Sequence, residues 1–200
     1  MRLTGAERRD RILSTSLALF AKRGFAATKT KDIARAAGVS EAMVFKLFPD
    51  KEGLYRALIE RRIADAELVL PLAELAASRE TPERYFGRIA TLMLTRVEDD
   101  PSFMRLLLFS ALEDHPLSAE FDAARAAGLR RSIESYLVRR QRTGDLRRVN
   151  PQFASRAFMG LVVSFAQART LFREPGSRRF SRETLVRELV ALFLEGMRPE

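Results

Sequence analysis

Between Thr28 and Lys51 the chain gathers three kinds of chemistry in a short span. Lys29, Lys31, Lys46 and Lys51 are cations, Thr28, Thr30 and Ser40 carry hydroxyls, and Ala42, Met43 and Phe45 offer apolar contact. Ammonium groups, hydroxyls and the free N–H groups at helix starts hold phosphate oxygens. Lysine also reaches the O6/N7 edge of guanine, while alanine and phenylalanine contact a thymine methyl. Glu41 leaves two readings open, as an acceptor from a cytosine amino group or as an acid that favours a helix start. Arg35 is equally open, to phosphate or to solvent. Together these groups suit a polyanion with a readable groove.

Charge distribution points the same way. The protein has 200 residues, a net charge of +9 and 46% hydrophobic residues. Residues 1–60 carry 12 Lys+Arg against 7 Asp+Glu, so the first 30% of the chain holds more than half of the excess. All five lysines fall within the first 51 residues. A basic segment of this kind selects acidic partners, nucleic acid or an anionic membrane surface. Cysteine is absent, which removes disulfides, thiolate metal sites and a cysteine nucleophile, and fits a reducing cytoplasm. With one histidine, no glycine-rich phosphate loop and no HExxH or GxSxG pattern, the chain shows no catalytic constellation, and no cofactor or metal is expected. The acidic run Glu98–Asp100 could hold a cation, but reads better as a helix junction capped by Asp100. No apolar run reaches the ~18 residues of a membrane span.

The elements that must position these groups are helices. Thr4 with Glu7 forms a capping-box pattern that opens a helix running to about Arg23, with Gly24 as its stop. Thr30 can cap "KDIARAA", Ser40 can cap "EAMVFKLF", and Asp50 can cap a long segment ending at Pro71. Thr81-Pro82, Asp100-Pro101 and Asn150-Pro151 repeat one device, a capping residue followed by proline at the first helical position. Further helices are predicted over about 82–99, 101–114, 118–142, 151–173 and 182–197.

"TKTKDIARAAGVSEAMVFKLF" has the grammar of a helix-turn-helix. Ile33, Ala34 and Ala37 give the first helix a narrow apolar face, Gly38 supplies a positive φ, and Ser40 restarts the chain. At about 100° per residue, Val44 and Phe48 fall on the buried side of the second helix, with Ala42, Phe45 and Lys46 opposite and Met43 on the border. Leu47 leans toward the core on this geometry. The segments "GFAATKTKDIARAAGVS", "VFKLF" and "DKEGLYRALI" resemble the N-terminal domain of TetR-like transcriptional repressors. That resemblance implies DNA-backbone contacts at Thr28, Thr30 and Lys51, and turns Leu47 toward the backbone. The chain departs from the family pattern in having Ala42 where glycine is common, Phe45 where tyrosine is common, and Leu47 where histidine or tyrosine is common.

The expected fold is all-α: a three-helix helix-turn-helix domain over residues 1–50, then a larger helical bundle over 51–200. The resemblance implies that the bundle binds an effector and forms a homodimer. Ala157, Gly160, Leu161, Ser164 and Ala168 make a close-packing stripe at helical spacing, and Leu185, Leu189, Leu192 and Phe193 make another. Either a four-helix dimer interface or an intrachain seam would bury them. Phe86, Met93, Phe103, Leu107, Phe121, Phe158 and Phe165 are candidate walls of a pocket for a small apolar or aromatic effector, or ordinary core residues. His115, beside Pro116, reads as a loop residue. The expected function is a homodimeric repressor on a palindromic double-stranded operator, released by its effector. The alternative is a basic helical adaptor or membrane-surface protein that binds no operator.

Overall fold

The computed structural model describes residues 4–69, 71–116 and 127–199, and every regular element among them is helical. In chain order these are α1 (Gly5–Arg23), α2 (Thr30–Ala37), α3 (Glu41–Leu47), α4 (Lys51–Val69), α5 (Leu72–Ala77), α6 (Pro82–Asp99) and α7 (Ser102–Leu112). They continue with α8 (Ala127–Arg142), α9 (Pro151–Thr170), a 3-10 turn (Ser177–Arg179) and α10 (Arg182–Glu195).

Most predicted boundaries rest on observed caps. The Thr4 hydroxyl accepts from the Glu7 N–H, and the Glu7 carboxylate accepts from the Thr4 N–H at 2.7 Å. Those hydrogen bonds hold the Glu7 carboxyl below its usual range. Ser40, Asn150 and Ser181 each accept a backbone N–H at the start of α3, α9 and α10. The Asp50 carboxylate accepts from the Gly53 N–H at 2.6 Å at the start of α4. Thr30 departs from expectation: it is the first helical residue of α2, and Lys29 stands at the N-cap without a side-chain hydrogen bond. Pro101 likewise precedes α7 rather than opening it. The short helix α5 went unpredicted, since six residues carry too little periodicity to register. The first part of the helix predicted over 118–142 lies outside the described residues.

The chain packs as two compact units, one of residues 1–68 and 102–124 and the other of 69–101 and 125–200. This division differs from a cut at residue 50. The buried residues Leu54, Tyr55, Leu58 and Ile59 of α4 and Leu106 of α7 share one core with Ile12, Phe20, Ile33, Val44 and Phe48. α7 is fastened there by polar contacts as well. Arg105 Nε donates to the Ala21 carbonyl at 3.1 Å, and the Tyr55 hydroxyl donates to the Leu106 carbonyl at 3.4 Å.

The second unit is built on aromatic packing. Tyr85 and Tyr136 stack at 3.7 Å, and Phe86 contacts both Phe158 and Phe193 edge-on. All but Phe193 are fully buried, and Phe193 is nearly so. Arg139 and Arg140 from α8 donate to backbone carbonyls of residues 76–80, tying down the segment that follows α5. Glu98 of α6 accepts from Arg169 and Arg182, and Asp99 lies 3.6 Å from Arg182, so these two residues of the acidic run are committed to ion pairs.

Two expectations about this unit change. Leu185, Leu189 and Phe193 are buried in the unit's own core and are not a free interface. The proposed effector walls are also dispersed. Phe103 and Leu107 pack against the core of the first unit, Phe86 and Phe158 fill the core of the second, and Met93 and Phe165 are half-buried there. Phe121 lies outside the described residues.

Candidate nucleic-acid interface

The geometry of α2, the turn and α3 follows from a few residues. α2 ends in a left-handed cap at Gly38, with φ 68° and ψ 36°. The Gly38 N–H donates to the Arg35 carbonyl and the Val39 N–H to the Ala34 carbonyl, the paired closure of a Schellman motif. A Cβ on Gly38 would meet only ordinary contacts, so the positive φ, not space, calls for glycine there. Two residues later Ser40 caps α3, accepting from the Met43 N–H at 3.2 Å. Ile33, Ala34 and Ala37 are buried beneath the turn, and the small alanines let the two helices approach closely.

α3 divides as its periodicity predicts. Val44 and Phe48 are buried at 1% and 2% exposure, while Phe45 is 45% exposed despite its size. Glu41, Ala42 and Lys46 are exposed and Met43 is half-buried at the border. Leu47 is half-buried and packs against the first-unit core, which favours its anchoring role. Arg9 of α1 holds the end of the helix. Its Nη1 donates to the Leu47 carbonyl at 3.3 Å, and its guanidinium lies 4.6 Å from the Phe48 ring centroid.

The flanking cations and hydroxyls sort less evenly. Lys29, Lys31 and Ser40 are exposed and Thr30 is half-buried. Thr28 is a correction. It is fully buried, and its hydroxyl donates to the Gly24 carbonyl at 2.7 Å, so that side chain closes the α1–α2 loop and presents nothing to a ligand. Lys51 is half-buried, with its Nζ 4.1 Å from the Phe25 ring centroid. Burial holds this ammonium below the usual lysine range, opposed by attraction to Glu113. Arg35 is highly exposed and lies 3.7 Å from Asp32, which Arg23 also approaches at 3.7 Å.

Two contributors escape a sequence reading. Glu113, just past α7, accepts from the Phe25 and Ala26 N–H groups at 3.0 and 3.3 Å and so pins the α1–α2 loop. Gly24, at φ 78° and ψ 173°, lets it in, since a Cβ there would lie 2.2 Å from the Glu113 Oε1. His115 is a member of the same cluster, not a plain loop residue, with its ring 4.3 Å from Phe25 and 5.2 Å from Tyr55.

The result is a rigid, capped helix carrying a small apolar and cationic face, flanked by exposed lysines and backbone N–H groups. That arrangement can enter a major groove with Ala42, Phe45 and Lys46 toward the bases. Among the described residues no helix is long and apolar enough to cross a membrane.

Comparison with known proteins agrees. Residues 12–58 match the model for bacterial regulatory proteins of the tetR family, and residues 84–196 match that for the C-terminal domain of AefR-like transcriptional repressors. Over 64 residues the chain is 41% identical to the uncharacterized HTH-type transcriptional regulator YvkB of Bacillus subtilis (strain 168), covering 32% of this chain and 34% of that one. Over 108 residues it is 37% identical to the HTH-type transcriptional regulator RutR of Escherichia coli (strain K12), covering 53% and 49%. The matched part thus spans a third to a half of these relatives' lengths. The crystal structure of AibR in complex with isovaleryl coenzyme A and operator DNA superposes with a TM-score of 0.73 at 21% identity, over 93% of this chain and 97% of that one. A family model covering more than half the chain, a second on the helix-turn-helix and a shared fold lead to one conclusion: this protein belongs to the TetR family of DNA-binding transcriptional regulators.

Proposed function

We propose that the protein is a homodimeric repressor that binds a palindromic operator and leaves it when a small effector binds the second unit. The observation that carries the DNA reading is the split of α3: Val44 and Phe48 are anchored in the core, while Ala42, Phe45 and Lys46 stand exposed on a helix fixed at both ends. Exposing a phenylalanine ring is unfavourable in a chain that acts alone, and contact with a thymine methyl gives that ring a partner. Lys29, Thr30, Lys31, Ser40 and the N-terminal N–H groups of α2 supply the phosphate contacts, while Glu41 at the start of α3 accepts from a cytosine amino group or favours the helix start.

Dimerisation draws on the outer face of α9. Gly160, Leu161 and Ser164 are exposed, Ala157 and Ala168 are half-exposed, and Phe153 extends the stripe at 74% exposure. Leu192 on α10 is 71% exposed and adds to it. A dimer carries two α3 helices, which suits a palindrome whose half-sites lie roughly 34–36 Å apart in successive major grooves. For the effector, the aromatic content of the second unit favours an apolar or aromatic molecule. AibR, of the same fold, was crystallised with isovaleryl coenzyme A and operator DNA, which makes acyl compounds a reasonable first screen.

Selection of bound sequences from random duplex DNA tests the proposal, followed by fluorescence anisotropy on the recovered site. A palindrome is expected, with Phe45→Ala weakening that site by about tenfold (about 1.4 kcal/mol) and leaving random DNA unaffected. Equal loss on both DNAs would make Phe45 structural. Binding to anionic vesicles with no preferred DNA would favour the adaptor alternative.

A further inference from the structure

The second unit carries a pocket that the DNA reading does not use. It is open, about 440 Å³, and lined by Glu98, Pro101, Arg169, Thr170, Arg173 and Arg178. The only acid in its lining is already spent. Glu98 is 15% exposed, its Oε1 accepts from Arg169 Nε at 2.6 Å, and its Oε2 accepts from Arg182 Nε at 2.7 Å. Asp99 lies 3.6 Å from Arg182. Among the described residues the ion pairs of this corner thus join Arg169 and Arg182 to Glu98 and Asp99.

Arg173 and Arg178 provide the surplus. Both are exposed, and among the described residues neither has a carboxylate within ion-pair distance. Arg169 is held from three sides, by Glu98 and by the carbonyls of Ser177 and Phe180 at 2.7 and 2.9 Å, so its guanidinium is a fixed wall. The Thr170 hydroxyl donates to the Ala166 carbonyl at 2.6 Å, which leaves it no proton to offer a ligand. Backbone geometry adds an independent observation. Arg173 has φ 53°, a left-handed conformation normally occupied by glycine or asparagine where a helix ends. A strained backbone that carries a long cationic side chain beside a cationic pocket is the kind of outlier from which a binding role is inferred.

We propose that this pocket binds a diphosphate group, the Arg173 and Arg178 forks taking the phosphoryl oxygens and Arg169 closing the wall. Guanidinium groups favour phosphate because their planar donors match its oxygens in pairs. Two exposed forks and a fixed third suit two linked phosphoryl groups better than one small monoanion, which would leave one of the forks unused. Free pyrophosphate and the diphosphate of a larger small molecule share this chemistry.

Isothermal titration calorimetry of the full chain with inorganic pyrophosphate, at constant ionic strength and with orthophosphate alongside, tests the site. Pyrophosphate should bind more tightly than orthophosphate, and Arg173→Ala with Arg178→Ala should weaken it by at least about tenfold, about 1.4 kcal/mol. Lys29→Ala with Lys46→Ala, which should weaken DNA binding, should leave the affinity for pyrophosphate unchanged, since those residues belong to the other unit. Arg173→Gly separates binding from folding. Glycine relaxes the left-handed backbone, so its melting temperature should not fall while its pyrophosphate affinity does. No heat at millimolar pyrophosphate, or a loss that follows the lysine variant instead, overturns the proposal. A larger diphosphate that binds the wild type as pyrophosphate does, and loses affinity in the arginine variants, would place the group on a bigger ligand. One that binds equally well to those variants would count against the site.

Discussion

Replacing Gly24 with alanine tests how the α1–α2 loop is held. Two penalties arise at this one position. The backbone lies at φ 78° and ψ 173°, a region essentially restricted to glycine, and a side chain there adds roughly 1–3 kcal/mol of strain. The new methyl would also lie 2.2 Å from the Glu113 Oε1 and 3.3 Å from the Phe109 ring. The Glu113 side chain can swing away, but only by releasing the Phe25 and Ala26 N–H groups. Each such bond is exposed to solvent and contributes on the order of 1 kcal/mol. The expected destabilisation is therefore about 2–5 kcal/mol. Glu113→Ala alone should lose only the hydrogen bonds, about 1–2 kcal/mol. In the double variant the methyl finds the space vacated by Glu113, so the combined effect should fall short of the sum by about 1–2 kcal/mol. Urea unfolding of the four proteins, followed by circular dichroism and loop hydrogen exchange, provides the cycle. Strict additivity would show that Glu113 does not occupy the space Gly24 leaves, and a loss below about 1 kcal/mol for Gly24→Ala would refute both parts of the reasoning.

Other outcomes follow from the same geometry. Lys51→Ala should weaken binding to operator and random DNA alike and lower the salt slope by about one, read from anisotropy titrations across salt concentrations. The same variant should alter the pH dependence of stability. Burial lowers the Lys51 pKa in the folded state, so above that value the unfolded chain binds more protons, and the stability contribution rises with pH up to the ordinary lysine value of about 10.4. Wild type should therefore gain on Lys51→Ala in urea midpoints as the pH rises toward the ordinary lysine value. Leu161→Glu with Leu192→Glu should yield monomers in sedimentation at micromolar concentration with unchanged helix content, because both side chains are exposed in the single chain. Tyr85→Phe should raise stability by about 1 kcal/mol, since the Tyr85 hydroxyl is buried with no hydrogen-bond partner among the described residues; a lower urea midpoint would show that the hydroxyl has one.

What was legible in the sequence depended on how far apart the interacting residues lie. The caps of α1, α3, α9 and α10 are contacts over two or three residues, and a local pattern gives them away. The division of α3 is also local, because seven residues at helical period allow only one arrangement with Val44 inward. Thr28 shows where this stops. Its type and position favour a phosphate contact, but the chain turns back after Gly24, and the hydroxyl closes that turn instead of facing outward. Leu185, Leu189 and Phe193 show the same limit in packing. Their spacing establishes an apolar face but not what covers it, and α6 does so within the same unit. The clamp on the α1–α2 loop joins residues 87 and 88 positions apart, with nothing in either segment to indicate its partner. Consequently the surface proposed to meet DNA is largely readable from residues 29–51, whereas the contacts that hold its loop in place come from Glu113 just past the end of α7 and can be found only in three dimensions. Substitution of Glu113 should therefore alter DNA affinity without touching any residue proposed to contact DNA.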